Sequence, residues 1–404
     1  MSVCKSAGLH DLFSKIKKIT FIFEFGLKVA RDSFSHALLL EYIPFIVLLL
    51  ALFTISGGIV LRGNFVGTPG LNLLILLVGT LLASWMGTTG AAMLLIRPLI
   101  RANKWRKNKT HIIIFFIFLV ANIGGSLTPL GDPPLFIGFL KGVNFFWTTQ
   151  YMFFPMLFVS FVLMVLFYFI DNYYYNKELS NKPSKQSVNF SIEGKINFIL
   201  LFGVIVSVVL SGIYQDFKIY EVFGNSHNKW PLSFILRDLI LLSLTFISYK
   251  ITSINLRKEN GFTWFPIMEV AKLFAGIFIT VIPALAILKE YKEVFSTFSA
   301  NMYFWLTGSL SGFLDNAPTY LVFFEAAGGQ PNVYELMNSV WILLAISSGA
   351  VFMGAMTYIG NAPNFMVRAI AEENDIKMPG FFGYMMWSFV VLVPIFILYT
   401  YIWF

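Results

Sequence analysis

The sequence predicts an all-α polytopic membrane protein. Of 404 residues, 57% are hydrophobic and only 12% are charged, whereas soluble domains carry about 25% charged residues. Apolar runs recur along the chain, and a helix needs roughly 20 apolar residues to cross a bilayer. The predicted crossings are 42–61, 112–127, 151–170, 196–213, 232–249, 267–288, 333–353 and 382–404.

Two further apolar stretches, 71–100 and 300–326, are each interrupted near the centre. Residues 86–90 (Met-Gly-Thr-Thr-Gly) interrupt the first and residues 315–319 (Asp-Asn-Ala-Pro-Thr) interrupt the second. A broken helix frees backbone groups that lipid cannot satisfy, so each break must face protein or an aqueous cavity. We therefore predict two re-entrant hairpins.

Two crossings are broken as well, and they repeat. A single shift of 229 residues places 128–134 on 357–363 and also places the first hairpin break on the second. Such a pattern predicts two inverted-topology repeats, each with a re-entrant hairpin and a broken transmembrane helix. The predicted segments are a basic N-terminal segment (1–36), a first repeat (37–170), a polar cytoplasmic linker (171–197) and a second repeat (198–404).

Positive charge predicts the orientation. The loop 101–109 holds five Lys and Arg residues and is therefore expected in the cytoplasm. The protein itself is expected in the inner membrane. Counting crossings from this loop places 171–197 in the cytoplasm and 289–299 outside, so that the hairpins enter from opposite sides. The same count starts 42–61 outside, which conflicts with the basic charge of 1–36. Either an upstream crossing is missing or 1–36 lies along the membrane surface.

At these breaks the chain resembles the ion transporter superfamily, specifically its citrate-transporter-like and NhaD-type sodium:proton antiporter branch. The resemblance covers about residues 40–404 and is carried by 123–134, 313–319 and 354–363. It implies hairpins and unwound helices that meet near the membrane midplane. Carboxylate carriers of the superfamily show Ser-Asn-Thr at both hairpin tips, whereas this chain has Met-Gly-Thr at 86–88 and Asp-Asn-Ala at 315–317. That departure disfavours a di- or tricarboxylate substrate.

Asp132 and Asp315 are the sharpest candidates for chemistry. A carboxylate at bilayer depth costs at least roughly 2.5–3.5 kcal/mol on insertion scales and is a functional candidate by default. Both acids lie at chain breaks, where backbone carbonyls add ligands for a hard cation such as sodium, and protons compete for the same oxygens. The alternative is that each acid only caps a half-helix through backbone N–H groups.

Neutral side chains accompany the two acids. The predicted sodium ligands are Asp132, Asp315, Asn316 and Asn361. The candidate hydroxyl ligands are Thr88, Thr89, Ser126, Thr128 and Thr357, although Ser and Thr also bond the carbonyls of their own helices. The residues assigned to the hairpin and helix breaks are Gly87, Gly131, Pro133, Pro134, Pro318, Gly360 and Pro363.

The remaining charged residues are predicted to be structural. Arg237 with Asp238 and Glu269 with Lys272 are expected as ion pairs, and Arg97 is expected to extend its head group toward the membrane surface. The chain has a single cysteine, Cys4, which excludes a disulfide framework. The scattered histidines His10, His36, His111 and His227 support no zinc site.

These observations predict a secondary transporter rather than an enzyme, with sodium:proton antiport favoured. No G-x-x-x-x-G-K-[ST] motif occurs, so a gradient must drive transport. A citrate or dicarboxylate carrier is the alternative, but two acids repel an anion unless cations compensate. An intramembrane aspartyl protease is the remote alternative, because Pro129 replaces a glycine of its signature. Sodium ions and protons are the expected coupling ions, with no other cofactor and no nucleic acid. Lipid and a small ion or molecule are the expected partners, and a homodimer is compatible with the sequence.

Overall fold

A computed structural model describes residues 27–178, 190–214, 218–221, 229–290, 292–329 and 332–404. Most of the predicted segment 1–36, including Cys4 and His10, lies outside these residues. So do the middle of the predicted linker and His227. The structure is 78% helical, which confirms a helical protein, with two short β-ribbons in its loops.

Helices of very different lengths follow one another along the described residues. The α-helices are α1 (Leu27–His36), α2 (Ile43–Ser56), α3 (Pro69–Met86), α4 (Thr88–Ala102), α5 (Thr110–Leu119), α6 (Pro133–Leu140), α7 (Trp147–Lys177), α8 (Ile196–Ile213), α9 (Leu232–Ile251), α10 (Ile254–Glu259), α11 (Phe265–Glu290), α12 (Lys292–Phe295), α13 (Ala300–Phe313), α14 (Asn316–Ala326), α15 (Val333–Asn338), α16 (Val340–Met353), α17 (Ala362–Glu373) and α18 (Phe381–Trp403). A π-helix (Ala37–Tyr42) joins α1 to α2, and 3-10 turns follow α5 (Ile123–Leu127) and α16 (Gly354–Met356). The antiparallel strand pairs are β1 (Val60–Arg62) with β2 (Ser191–Glu193) and β3 (Lys218–Glu221) with β4 (Lys229–Pro231).

Eight helical segments of the described chain are long and apolar enough to cross a membrane, which makes the protein a multi-pass membrane protein. They are Arg31–Ser56, Pro69–Met86, Thr110–Leu127, Trp147–Lys177, Ile196–Ile213, Leu232–Ile251, Phe265–Leu285 and Phe381–Trp403.

Two of these spans, and one predicted crossing that is not among them, differ from the sequence prediction. The first begins at Arg31, well before the predicted residue 42, because the π-helix continues α1 into α2. The predicted crossing 333–353 is divided, since α15 ends at Asn338 and the apolar helix starts at Val340. Pro69–Met86, the first arm of the first predicted hairpin, is itself long enough to be counted as a span.

Contacts between loops group one set of chain ends, which we call the Arg106 face. Arg101 donates to the carbonyl of Leu61 at 2.8 Å. The Glu178 carboxylate accepts from the backbone N–H groups of Lys107 and Asn108, each at 2.9 Å. The segments of this face are 57–62, 101–110, 171–178, 257–261 and 373–377.

A second set of chain ends forms what we call the Lys141 face. The Lys141 ammonium lies 2.5 Å from the Glu41 carboxylate and 3.3 Å from that of Glu325. Trp147 donates to the carbonyl of Met337 at 3.3 Å. Helix α7 starts here and ends on the Arg106 face, and its 31 residues extend roughly 46 Å at 1.5 Å per residue. The two faces are therefore separated by more than the thickness of a bilayer core.

One span is enclosed by protein, not by lipid. Thr110–Leu127 is 94% buried, whereas Phe265–Leu285 and Phe381–Trp403 are each 28% buried. A helix that is hydrophobic all round belongs in such an interior, and Phe115, Phe116 and Phe118 are fully buried. Helix α5 thus holds the break that follows it at the centre of the molecule.

A buried ionic network anchors the Arg106 face. The Asp171 carboxylate lies 2.6 Å from the Arg106 guanidinium and 2.8 Å from the His111 imidazole. Asn72 on α3 donates to its other oxygen at 2.9 Å. The side chains of Arg106 and Asp171 are both 0% exposed. This network therefore ties α3, the 101–109 loop, α5 and α7 together.

We predict that Asp171→Asn lowers the melting temperature of the purified protein in detergent. The substitution leaves the Arg106 charge buried without a counter-ion, and breaking a buried pair in this way costs roughly 3–5 kcal/mol. Glu372→Gln is the matched control, because Glu372 forms an exposed pair with Arg368, and such pairs contribute about 0–1 kcal/mol. Equal melting temperatures for the two variants would contradict the anchoring role.

Candidate functional site

The four predicted chain breaks meet in the interior. The backbone N–H of Thr88, at the first hairpin break, donates to the carbonyl of Gly131 at 2.8 Å. Asn316 of the second hairpin and Asn361 of the second broken helix both donate to the Asp132 carboxylate. Residues far apart in the chain are therefore brought to one carboxyl group.

Asp132 is buried, with 2% of its surface exposed, and it accepts three hydrogen bonds. Thr88 Oγ1 and Asn361 Nδ2 donate to Oδ1 at 3.1 and 2.9 Å, and Asn316 Nδ2 donates to Oδ2 at 2.5 Å. Among the described residues, no Lys, Arg or His lies within ion-pair distance of it. Asp132 precedes α6, but its side chain makes no capping bond. The capping alternative is therefore wrong for Asp132.

Asp315 behaves differently from Asp132. Its carboxylate accepts from the backbone N–H of Ala317 at 3.1 Å, so it caps α14 as the structural alternative proposed. Its backbone carbonyl accepts from the Thr319 hydroxyl at 2.8 Å. The carboxylate nevertheless lines the same cavity as Asp132.

An amide network that sequence analysis missed supports the site. Asn361 also donates to the carbonyl of Ala121 at 3.1 Å and to Asn122 Oδ1 at 3.3 Å. Asn122 in turn donates to Asn364 at 2.7 Å, and Asn364 donates to the carbonyl of Gly354 at 2.8 Å. The available signal was that Asn122 and Asn364 are polar residues at the edges of the two broken helices.

Three of the predicted hydroxyl ligands are used by the backbone. Thr128 donates to the carbonyl of Ser84 and accepts from the N–H of Leu130. Thr357 likewise donates to the carbonyl of Gly312 and accepts from the N–H of Ile359. Ser126 donates to the carbonyl of Ile123 at 2.8 Å. Thr88 is thus the predicted hydroxyl that reaches Asp132, while Thr89 lines the cavity.

Glycine and proline shape the breaks. A Cβ atom on Gly131 would lie 2.1 Å from the carbonyl oxygen of Gly125, and one on Gly360 would lie 2.5 Å from that of Gly354. Gly87 has a φ of +81°, which residues with side chains rarely adopt. Prolines occupy the first turns of the helices that leave the breaks, where a missing N–H is tolerated. They are Pro133 and Pro134 in α6, Pro318 in α14 and Pro363 in α17.

A cavity of about 850 Å³ leads from this site to the Arg106 face. Thr88, Asp132, Asp315 and Asn361 lie at its inner end. Residues at its other end include Gly261, Thr263 and Glu373, which are exposed. The side walls come from apolar residues of α2 and α11. The site is therefore accessible from the Arg106 face.

On the side of the Lys141 face, the cavity ends at an aromatic cluster. Phe45, Phe136 and Phe274 line it there, and the ring centroids of Phe45 and Phe274 are 4.5 Å apart. Lys141 follows Phe136 at the end of α6, and its ion pairs with Glu41 and Glu325 tie α6 to the π-helix and to α14. The protein is closed on this side.

The first turns of three half-helices line the cavity. They are contributed by Thr88 and Thr89 of α4, Pro133 of α6, and Ala362 and Pro363 of α17. The N-terminal end of a helix carries unpaired N–H groups and a partial positive charge. Negative charge at the inner end of the cavity, on Asp132 or on a ligand, is therefore stabilised by the backbone.

Two cations that sequence analysis had assigned elsewhere face the cavity. Arg97 and Lys272 both line it. Glu269 and Lys272 form no ion pair with each other, so the predicted pairing is wrong; both side chains lie in the cavity wall and are exposed.

The predicted pair of Arg237 and Asp238 is confirmed at 2.8 Å. No three His, Cys, Asp or Glu side chains cluster as a metal site within the described residues.

A profile of the CitMHS_2 family, described as "Putative citrate transport", matches residues 8–404. No curated protein matches the chain. The match confirms the citrate-transporter-like part of the resemblance, and the NhaD-type branch stays a prediction.

We predict that Gly131→Ala lowers the melting temperature and the yield of folded protein, because the added methyl group overlaps the carbonyl of Gly125 and overpacking typically costs about 1–3 kcal/mol. Gly70→Ala is the control, since a Cβ atom at Gly70 meets nothing within 4 Å. The comparison is made by size-exclusion chromatography of heated samples. If Gly131→Ala were as stable as Gly70→Ala, the close approach of the two glycines would be refuted.

Proposed function

The chain belongs to the citrate-transport family matched over residues 8–404, and on that premise we propose that it is a secondary transporter of a citrate-like carboxylate coupled to a cation or a proton. The family is a transporter family, which supports a carrier and leaves the protease hypothesis without support. The observation that carries the proposal is the cavity, which has an acidic inner end, three helix N-termini and two cations in its wall.

The cavity supplies what a carboxylate substrate requires. On the sequence motifs alone, Asp132 and Asp315 would lie beside the substrate without any positive charge to compensate them. Arg97 and Lys272 provide positive charge in the cavity wall, and the N-terminal ends of α4, α6 and α17 add the partial positive charge of the helix dipole. Opposite charges favour binding of an anion, and helix N-termini are established anion sites.

Asp132 is the proposed site of the coupling ion. Its carboxylate has neutral donors and no cationic partner within ion-pair distance in the described residues. Sodium prefers oxygen ligands, which Asp132, Thr88, Asn316 and Asn361 can offer. Both amides now turn their N–H groups to Asp132, so sodium binding requires an amide to rotate. Asn316 Oδ1 is buried without a hydrogen-bond partner and would face a bound sodium ion after such a rotation.

We also propose that the two halves are inverted repeats with re-entrant hairpins. The base of the first hairpin lies at the Arg106 face, where the N–H of Gly67 donates to the carbonyl of Ala102. The base of the second lies at the Lys141 face, where Glu325 pairs with Lys141. Opposite entry is typical of inverted-topology carriers.

The basic residues of the Arg106 face favour its placement in the cytoplasm, with the protein in the inner membrane. The cavity then opens inward. Access from outside requires the ion pairs of Lys141 with Glu41 and Glu325 to separate, because these pairs tie α6 and α14 to the start of α2.

Sodium:proton antiport remains the second candidate. Asp132 and Asp315 line one cavity, and a pair of acids without bound substrate can exchange a sodium ion for protons. Transport assays with and without citrate separate the two functions.

We predict that proteoliposomes take up citrate in response to a sodium or proton gradient and that Asp132→Asn removes this gradient dependence. The substitution nearly preserves volume but deletes the charge that a coupling ion neutralises. The affinity of the site for the coupling ion is expected to fall roughly 10- to 150-fold. This is the range for losing a hydrogen bond to a charged group, about 1.5–3 kcal/mol.

Glu372→Gln is the control variant and is expected to transport normally, because Glu372 is exposed on the outside of α17. Gradient-driven citrate uptake that persists in Asp132→Asn would overturn the role of Asp132. Sodium-driven proton flux without any citrate uptake would replace the carboxylate carrier by the antiporter.

A further inference from the structure

Arg97 faces the cavity as a cation without a bonding partner. Its Nη1 atom is buried and makes no hydrogen bond, and among the described residues its guanidinium forms no ion pair within 4 Å. Glu373 attracts it from across the cavity wall, and Arg101 repels it. A buried donor of a charged group that is left unsatisfied carries a desolvation penalty. A bound anion would remove that penalty.

The chain opposite Arg97 is shaped around the guanidinium. Gly261 has a φ of +62°, and a Cβ atom there would lie 2.1 Å from Arg97 Nη2 and 2.8 Å from Cζ. The backbone conformation favours glycine here, and the absence of a side chain lets the guanidinium approach the loop. The loop between α10 and α11 therefore lies directly against the guanidinium.

Arg97 and Asp132 lie toward opposite ends of the cavity. Thr88, which bonds Asp132, and Arg97 are nine positions apart on α4, which is roughly 13.5 Å along a helix axis. The Arg97 guanidinium lies against Gly261 of the Arg106 face, so its head group is at the mouth of the cavity. A small substrate bound at Arg97 therefore leaves room for a coupling cation between itself and Asp132. The carboxylates of Asp132 and Asp315 repel a substrate carboxylate from the inner end.

We propose that Arg97 is a carboxylate-binding residue, which holds a di- or tricarboxylate by one end while the coupling cation lies between the substrate and Asp132. A guanidinium binds a carboxylate through two parallel hydrogen bonds, which Lys cannot reproduce. This inference rests on the proposed function, because it assigns one end of the substrate in the same cavity. Lys272, which is exposed and lines the same cavity from α11, adds positive charge without a fixed geometry.

The test compares Arg97→Gln and Arg97→Lys in proteoliposomes. Arg97→Gln is expected to raise the KM for citrate about 10- to 100-fold, the range for a hydrogen bond to a charged group. The sodium or proton concentration for half-maximal uptake at saturating citrate should stay unchanged. Arg97→Lys should recover part of the affinity. Arg101→Gln is the matched control, because Arg101 lies one turn further along α4, outside the cavity, and bonds the carbonyl of Leu61.

Equal KM values for wild type and Arg97→Gln, with both proteins folded by melting temperature, would refute the subsite and leave the proposed function intact. If the wild type carries no citrate, the proposed function fails by itself. Thermal stabilisation by succinate, sulfate and phosphate then decides the subsite. Stabilisation that is lost in Arg97→Gln and kept in Arg101→Gln supports an anion site at Arg97. Stabilisation that is equal in the wild type and both variants, or absent from all three, overturns that site.

Discussion

A carboxylate in the interior of a membrane protein must be hydrogen-bonded, and Asp132 obtains its donors from three other chain breaks. Thr88, Asn316 and Asn361 each begin or precede a half-helix, so satisfying one carboxyl group fixes the relative positions of all four chain breaks. The breaks need each other for the same reason, since their free backbone groups find no partner in lipid. The bond from Thr88 N to the carbonyl of Gly131 is one such exchange.

The charge distribution of the cavity follows from this arrangement. Acids lie at the inner end because the half-helices start there and their N-termini stabilise negative charge. Cations lie further along the wall, where α4 and α11 approach the Arg106 face. Glu269 and Glu373 line the cavity as well, so negative charge is not confined to its inner end. The ion pairs of Lys141 close the other side.

The repeat shift predicted much of the site and part of the fold. It paired Thr128 with Thr357 and Gly131 with Gly360, and each pair makes equivalent contacts, because local chain geometry follows local sequence. The direction in which each side chain points in the folded protein could not be predicted from the sequence. Arg97 faces the cavity because of how α4 packs, and the 42–61 crossing starts earlier because a π-helix continues it. Nothing in the sequence separated Asp132, which accepts from other segments, from Asp315, which caps its own helix.

The central claim is that donors from both halves of the chain build one coupling-ion site at Asp132. The most direct test is the sodium or proton concentration that gives half-maximal citrate uptake, measured for Asn316→Ala, Thr88→Ala and Ser126→Ala. Asn316 and Thr88 bond Asp132 from different halves, whereas Ser126 bonds its own turn. We expect the first two variants each to shift this concentration by roughly 10-fold or more and Ser126→Ala to leave it unchanged. A wild-type value for Asn316→Ala would contradict a site shared between the halves.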